Sequence, residues 1–347
     1  MQNLLKYWQC LLLIYPLLLG CPGKKTDPEP EKQPTAQEVM ADWSKEVSFT
    51  KITVSSGTWS YKDIVFNNGN AALLDNDNRI FFSYDNGVTW TERVKISGNT
   101  LQSIALKPDG EKLFIGGISL GPYTFGAKFW VYNTPKNGTV SLDYNGEAIT
   151  AQLNDPINHD FQRTQWNGDG AVYASFGRSN KMDGFFGNIT PDGRKIFTRR
   201  TPSFSRINDK NPTQAPSHCA GFYIKNNSET TILCAYEYIP SGMTNVLTPY
   251  QSDTKGSGNS WLNLSLYWKA DLVYHIGQDL TGKHAVYVSQ ANRLFYDGKH
   301  LINHKNLQGE LQCASIDNNG YLWVGTSNGL YKATKKMPDL PKTVFDK

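Results

Sequence analysis

The sequence predicts an all-β domain assembled from repeated hairpins, and three observations carry that reading. Tyr, Phe and Trp number 18, 16 and 9 among 347 residues, and such side chains fit the half-buried, pleated surface of strands. Long stretches with a 3.6-residue apolar period are scarce. Short apolar runs, separated by clusters of Asn, Asp, Gly and Pro, recur at intervals of about 30 to 50 residues. About 300 residues of strand are too many for one sandwich and fit a ring of radiating blades, a β-propeller. Six units can be laid along the chain, which gives six blades, and the length also allows seven.

The first unit runs Tyr61 to Phe66, Ala71 to Leu74, Ile80 to Tyr84 and Trp90 to Ile96. Its last turn reads Ser83-Tyr-Asp-Asn-Gly-Val-Thr-Trp90. Asp85 can fold its carboxylate onto the turn's own amides, Gly87 supplies a positive φ, and Trp90 buries its indole as the next strand begins. The stretch fits S-x-D-x-G-x-x-W and resembles the Asp-box of sialidases and other β-propellers. That resemblance implies a blade hairpin on the rim, away from the axis, with structural roles for Ser83, Asp85, Gly87 and Trp90.

The second unit starts at Leu101 to Leu106, turns at Lys107-Pro-Asp-Gly110 and continues through Lys112 to Gly117. The third takes Phe161 to Trp166, Ala171 to Phe176, Phe185 to Ile189 and Lys195 to Arg199. The fourth combines a hairpin from Cys219 to Cys234, a long insert from Ile239 to Ser260, and Trp261 to Trp268. Within it Gly258-Asn-Ser-Trp261 reads as a box that has lost its Asp. The fifth runs Leu272 to Ile276, Ala285 to Ser289, Arg293 to Tyr296 and Leu301 to Asn303. In the sixth, Ser315 to Tyr331 resembles the D-x-x-G-x-L-W-V-G-T-x-x-G-L repeat of propeller sensor domains. That unit shows only three strands before Lys335-Lys-Met-Pro338, and Phe49 to Val54 is a spare strand upstream of the first unit. The N-terminal strand is therefore expected to close the last blade and hide its edge.

Ahead of the ring, Leu11 to Leu19 is an apolar run too short to span a bilayer, and it suits a secretory h-region. It ends Leu18-Leu-Gly-Cys21, which resembles a bacterial lipobox and implies a lipid on Cys21. Residues 1–20 then read as a lipoprotein signal peptide, 21–34 as a Pro- and charge-rich disordered tether, and 35–46 as a short helix opened by a capping box at Thr35 and Glu38. The propeller is expected over 47–334, followed by a tail over 335–347. Pro22 follows the cysteine where Asp would signal retention at an inner membrane. A Gram-negative host would thus place the protein at its outer membrane.

The net charge is +4, and loss of Lys6 with the signal peptide leaves 34 basic against 31 acidic side chains. With no basic cluster, that balance excludes nucleic acid as a partner. No Cys/His spacing resembles a zinc site, and no cofactor motif is present. Cys219 and Cys234 flank two strand-like runs, and a tight turn at Asn226-Asn227 would set them opposite each other. They are a possible disulfide in an oxidising compartment, or else two buried thiols.

Sialidases with this box hold a carboxylate on three arginines, the first in an Arg-Ile-Pro motif ahead of the first box. Here Arg79 sits inside the first blade before Phe81, and Ser205-Arg-Ile-Asn208 is mid-chain without the proline. No catalytic residue can be carried over. His159, Asp160, Arg163 and His218 fall where inner strands begin, and they form a candidate ligand rim at one end of the axis, or else solvated loop positions. The sequence thus points to a lipid-anchored envelope propeller that binds a protein, or a surface glycan, through that rim or the long inserts Asn133 to Asn158 and Ile239 to Ser260. The alternative is a divergent sialidase-like glycan hydrolase.

Overall fold

The structure is a computed structural model that describes residues 33–57, 59–121, 124–145, 160–177, 185–189, 198–199, 218–225, 228–237, 246–257, 261–264 and 273–346. Residues from Thr35 onward form one compact unit. Its described residues are all-β apart from one helix, α1 (Ala36–Glu46). The helix starts as its sequence requires. The Thr35 side chain accepts from the Glu38 amide, and the Glu38 carboxylate accepts from the Thr35 amide. Met40 and Trp43 are buried against blades 5 and 6, and Trp43 Nε1 donates to the Lys336 carbonyl at 2.6 Å.

Among the described residues, twenty-four strands make six four-stranded antiparallel blades. After β1 (Phe49–Ile52), blade 1 comprises β2 (Tyr61–Asn67), β3 (Asn70–Asp75), β4 (Arg79–Ser83) and β5 (Thr91–Lys95). Blade 2 is β6 (Asn99–Leu106), β7 (Lys112–Gly121), β8 (Thr124–Asn133) and β9 (Ser141–Asn145). Blade 3 is β10 (Asp160–Trp166), β11 (Val172–Gly177), β12 (Phe185–Ile189) and β13 (Thr198–Arg199). Blade 4 is β14 (His218–Ile224), β15 (Thr231–Glu237), β16 (Val246–Ser252) and β17 (Trp261–Asn263), joined to blade 3 through the pair Gly177 and His218. Blade 5 is β18 (Val273–Gly277), β19 (Val286–Ser289), β20 (Arg293–Tyr296) and β21 (His300–Ile302). Blade 6 is β22 (Leu311–Ile316), β23 (Tyr321–Thr326), β24 (Gly329–Lys336) and β1, whose Phe49 to Ile52 pair antiparallel with Ala333 to Leu330.

The first strand of each blade lies innermost. β2, β6, β10, β14, β18 and β22 neighbour one another in that order, and β22 returns to β2. The ring is therefore closed at both levels, by the innermost strands and by β1 on blade 6. The core is distributed between blades rather than pooled, with apolar clusters at each blade-to-blade boundary described.

The turn between β4 and β5 has the chemistry its spelling predicts. Ser83 Oγ donates to Asp85 Oδ1 at 2.7 Å and accepts from the Gly87 amide at 2.8 Å. The Thr89 amide donates to Asp85 Oδ1 at 2.9 Å. Gly87 has φ +85°, and a Cβ there would lie 2.5 Å from Cη2 of Trp323 in blade 6. Trp90 is half-buried and meets Trp323 edge to face at 6.3 Å. Asn86 Nδ2 also donates to Asp317 Oδ2 at 3.3 Å. The two stretches that stand out in the sequence, 83–90 and 315–331, thus pack on each other at the junction of the first and last blades.

Three expectations need correction. β9 lies inside the stretch read as an insert after Asn133, and β16 lies inside the one after Ile239, where Pro249 interrupts the strand pattern. The turn matching that of blade 1 is at Ser252 to Gly256, ahead of Gly258. There Ser252 Oγ accepts from the Gly256 amide at 2.8 Å, and Lys255 and Gly256 have φ of 49° and 77°, against 58° and 85° for Asn86 and Gly87. Thr254 stands where Asp85 stands, which hid the likeness.

The third concerns Cys219 and Cys234. A bulge after Cys219 places it opposite Ala235 and leaves Cys234 opposite Gly221. The two are buried thiols and are not disulfide-bonded, and burial pushes the Cys234 thiol well up.

Candidate functional site

Every innermost strand carries a bulge near its start. The register shifts between Tyr61 and Asp63, Leu101 and Ser103, Phe161 and Arg163, Cys219 and Gly221, Val273 and His275, and Leu311 and Cys313. A bulge re-aims the side chain that follows it. The six residues that follow are Asp63, Ser103, Arg163, Gly221, His275 and Cys313, one per blade. Glycine adds no side chain, and at least four of the others meet across the axis.

Asp63 is the hub. Its Oδ1 accepts from Arg163 Nη1 at 2.6 Å and from His275 Nε2 at 3.0 Å, while Oδ2 accepts from Ser103 Oγ and the Ile104 amide, each at 2.9 Å. Ser103 Oγ in turn accepts from the Thr164 amide at 2.9 Å, and His275 Nδ1 faces the Ala314 amide at 3.4 Å. Asp63 and Arg163 are 1% and 2% exposed. Burial alone would raise the Asp63 carboxyl, but the Arg163 guanidinium, with His275 and the Ile104 amide, outweighs it and holds the group below the usual carboxylate range. Burial holds His275 below the usual histidine range despite Asp63. The imidazole is therefore neutral, with the proton on Nε2 donated to Asp63. Both shifts act in one direction. The unfolded chain takes up protons first, so the cluster stabilises the fold at neutral pH and loses that contribution on acidification, through the histidine range and then the carboxylate range.

This arrangement seals the axis with a satisfied ion pair. Arg163 belongs to that seal, not to a rim. Asp160 and His218 do come together at the leading end of the inner strands, since both pair by backbone with Gly177. His159 and the side chains of Asp160 and His218 lie outside the described residues. Cys21 lies outside them too.

At the opposite, trailing end the turns that leave the inner strands surround a small cleft of about 80 Å³. Its lining comes from blades 1, 2, 3, 5 and 6 and includes Asn67, Pro108, Gln165, Trp166, Asn167, Gln278 and Asn318. Among the described residues, no lining side chain is ionisable. Amide staples between blades fix the wall. Asn67 Nδ2 donates to the Leu106 carbonyl at 3.2 Å, Asn68 Nδ2 to the Pro108 carbonyl at 2.6 Å, and Gln165 bonds both the amide and the carbonyl of Ile224 at 2.9 Å. Asn167 is only 4% exposed, yet its carboxamide has no hydrogen-bond partner among the described residues. Trp166 Nε1 is likewise buried without an acceptor among them. Sequence reasoning missed these residues because Asn beside Gly reads as ordinary turn chemistry. The described lining is uncharged, and Asn167 offers the cleft an amide donor and acceptor.

In fold the chain is similar to the solved structure of YCF48 bound to a D1 peptide, at a TM-score of 0.47 and 12% identity, covering 84% of this chain and 97% of that chain. It is also similar to the WD40 β-propeller domain of Doa1, at a TM-score of 0.46 and 13% identity, covering 82% and 96% of the two chains. No family model and no curated protein matches the sequence.

Proposed function

We propose that the protein is a recognition propeller that holds an uncharged, extended segment of a partner protein in the trailing-end cleft. The observation that carries this reading is the carboxamide lining of the cleft, with the Asn167 side chain open to it and without a hydrogen-bond partner among the described residues. An extended peptide presents alternating amide donors and acceptors, which is what carboxamide side chains complement. A wall already fixed by blade-to-blade staples adds little ordering cost on binding. The described lining residues offer no charge to match an anionic sugar, which favours a peptide over an acidic glycan.

The test is affinity capture from envelope extracts with the full chain. Asn167→Leu keeps the size of the side chain and removes its hydrogen bonds. It is expected to weaken the captured partner by about tenfold or more, as an unpaired buried polar group costs about 1–3 kcal/mol, with an unchanged melting temperature. A partner bound equally by both proteins would move the site elsewhere on the surface.

The same reading places the propeller on a membrane through a lipid on Cys21. What supports it is the apolar run ending in Gly20-Cys21 and the Pro-rich stretch that follows. Cys21→Ala is expected to abolish labelling by an alkyne fatty acid and to release the protein from the membrane fraction. Continued labelling of the variant would rule the anchor out.

A further inference from the structure

The C-terminal segment after β24 is strapped over blades 5 and 4. The Met337 amide donates to the Gly320 carbonyl at 2.7 Å and Tyr296 Oη to the Pro338 carbonyl at 3.4 Å. Leu340 enters the core of blades 5 and 6, while Val344 and Phe345 are buried beside Tyr223, whose ring lies 5.5 Å from that of Phe345. Between these anchors Asp339 passes over His284. That histidine is 2% exposed, its Nδ1 lies 2.6 Å from Asp297 Oδ2, and its Nε2 has no hydrogen-bond partner.

The Asp297 carboxylate also accepts from the Ala285 amide at 3.0 Å, so it fixes a proton on His284 Nδ1. A neutral imidazole then presents a bare lone pair at Nε2, and it faces another acceptor, Asp339 Oδ1 at 3.9 Å. Two acceptors that face each other repel. A proton on Nε2 converts that contact into a charge-assisted hydrogen bond. We propose that His284 and Asp339 form a proton-operated latch that tightens the C-terminal strap on the ring as the surroundings turn mildly acidic. This goes beyond the binding role above and does not depend on it.

The charged and titratable groups around His284 come from every element packed against it. Asp279 and Lys283 lie on its own loop, Asp297 and Tyr296 belong to blade 5, Lys336 to blade 6, and Asp339 and Asp346 to the strap. Four carboxylates thus face two lysines. Lys283 holds Asp339 below the usual carboxylate range, so Asp339 keeps its charge where histidines gain theirs. Asp279 is the competing titrating group, because burial pushes its carboxyl up. Its oxygens are already engaged by Thr281 and by the amides of Lys283 and His284, not by the strap.

Hydrogen exchange of the full chain, corrected for the intrinsic effect of pH, reads the latch directly at Met337 and Phe345. Their protection is expected to rise by about threefold or more between about pH 7.5 and about pH 5.5. The rise opposes the sign of the whole fold, which the axial cluster weakens over the same interval. Asp339→Asn alters an exposed side chain and leaves the ring intact, and it is expected to abolish the rise, as is His284→Gln. Strap protection that stays flat or falls with acidification overturns the proposal. So does a rise that persists in Asp339→Asn, which would assign it to Asp279.

Discussion

A chain that begins at Ser60 is expected to lose its cooperative fold, whereas one that begins at Thr35 is expected to keep it. The shorter chain lacks α1 and β1. It therefore gives up the burial of Met40 and Trp43, each worth about 1.5–3 kcal/mol, and the Trp43 bond to the Lys336 carbonyl. It also leaves β24 as an open edge along the residues that β1 pairs, Leu330 to Ala333. With blade hydrogen bonds worth about 0.5–1.5 kcal/mol each, the loss approaches the total stability of about 5–15 kcal/mol usual for a domain. The exposed edge also templates aggregation. Thermal unfolding of the two chains decides the matter, and equal melting temperatures would mean that β1 does not close the ring.

The second large effect is at the axis. Arg163→Ala is expected to destabilise the fold by about 3–5 kcal/mol, because it leaves the Asp63 carboxylate buried without its cation. Replacing both members by apolar residues, Asp63→Val with Arg163→Met, is expected to cost less than Arg163→Ala alone. No stranded charge then remains, although Ser103 and the Ile104 amide lose their acceptor. Urea unfolding measures the coupling. The parent midpoint should also fall as pH drops through the histidine range and again through the carboxylate range, and the second step should shrink in the double variant. Additive costs for the two sites would show that the ion pair does not hold the blades together.

The division between what was legible in the sequence and what was not follows from physics. Hairpins were readable wherever apolar runs alternate with turn residues, and the spare strand at Phe49 could be matched to a last unit one strand short. β16 was obscured by Pro249, and the second serine turn by Thr254 in place of an acidic residue. The axial seal was invisible residue by residue, because Asp63, Ser103, Arg163, Gly221, His275 and Cys313 share no chemistry. They share a register. Each lies two residues after a buried apolar residue near the start of an inner strand, as in Leu101-Gln-Ser103, Phe161-Gln-Arg163 and Leu311-Gln-Cys313. Stacking the six units and reading that column would have found them. Arg163 looked like a rim residue because an arginine at a strand start is ordinarily solvated, and only the bulge turns it inward. The cleft was hidden for a related reason. A carboxamide that shapes a turn and one left open for a ligand are spelled alike.

The central claim is that recognition takes place at the trailing-end cleft. A photo-crosslinking side chain placed at exposed Asn68 or Asn318, on the cleft wall, tests it most directly, with the exposed outer-turn position Val88 as the comparison. The account predicts a discrete crosslinked partner from Asn68 and Asn318 that disappears in the Asn167→Leu background, and none from Val88. Crosslinking that is strong at Val88 and absent at both cleft positions would contradict it.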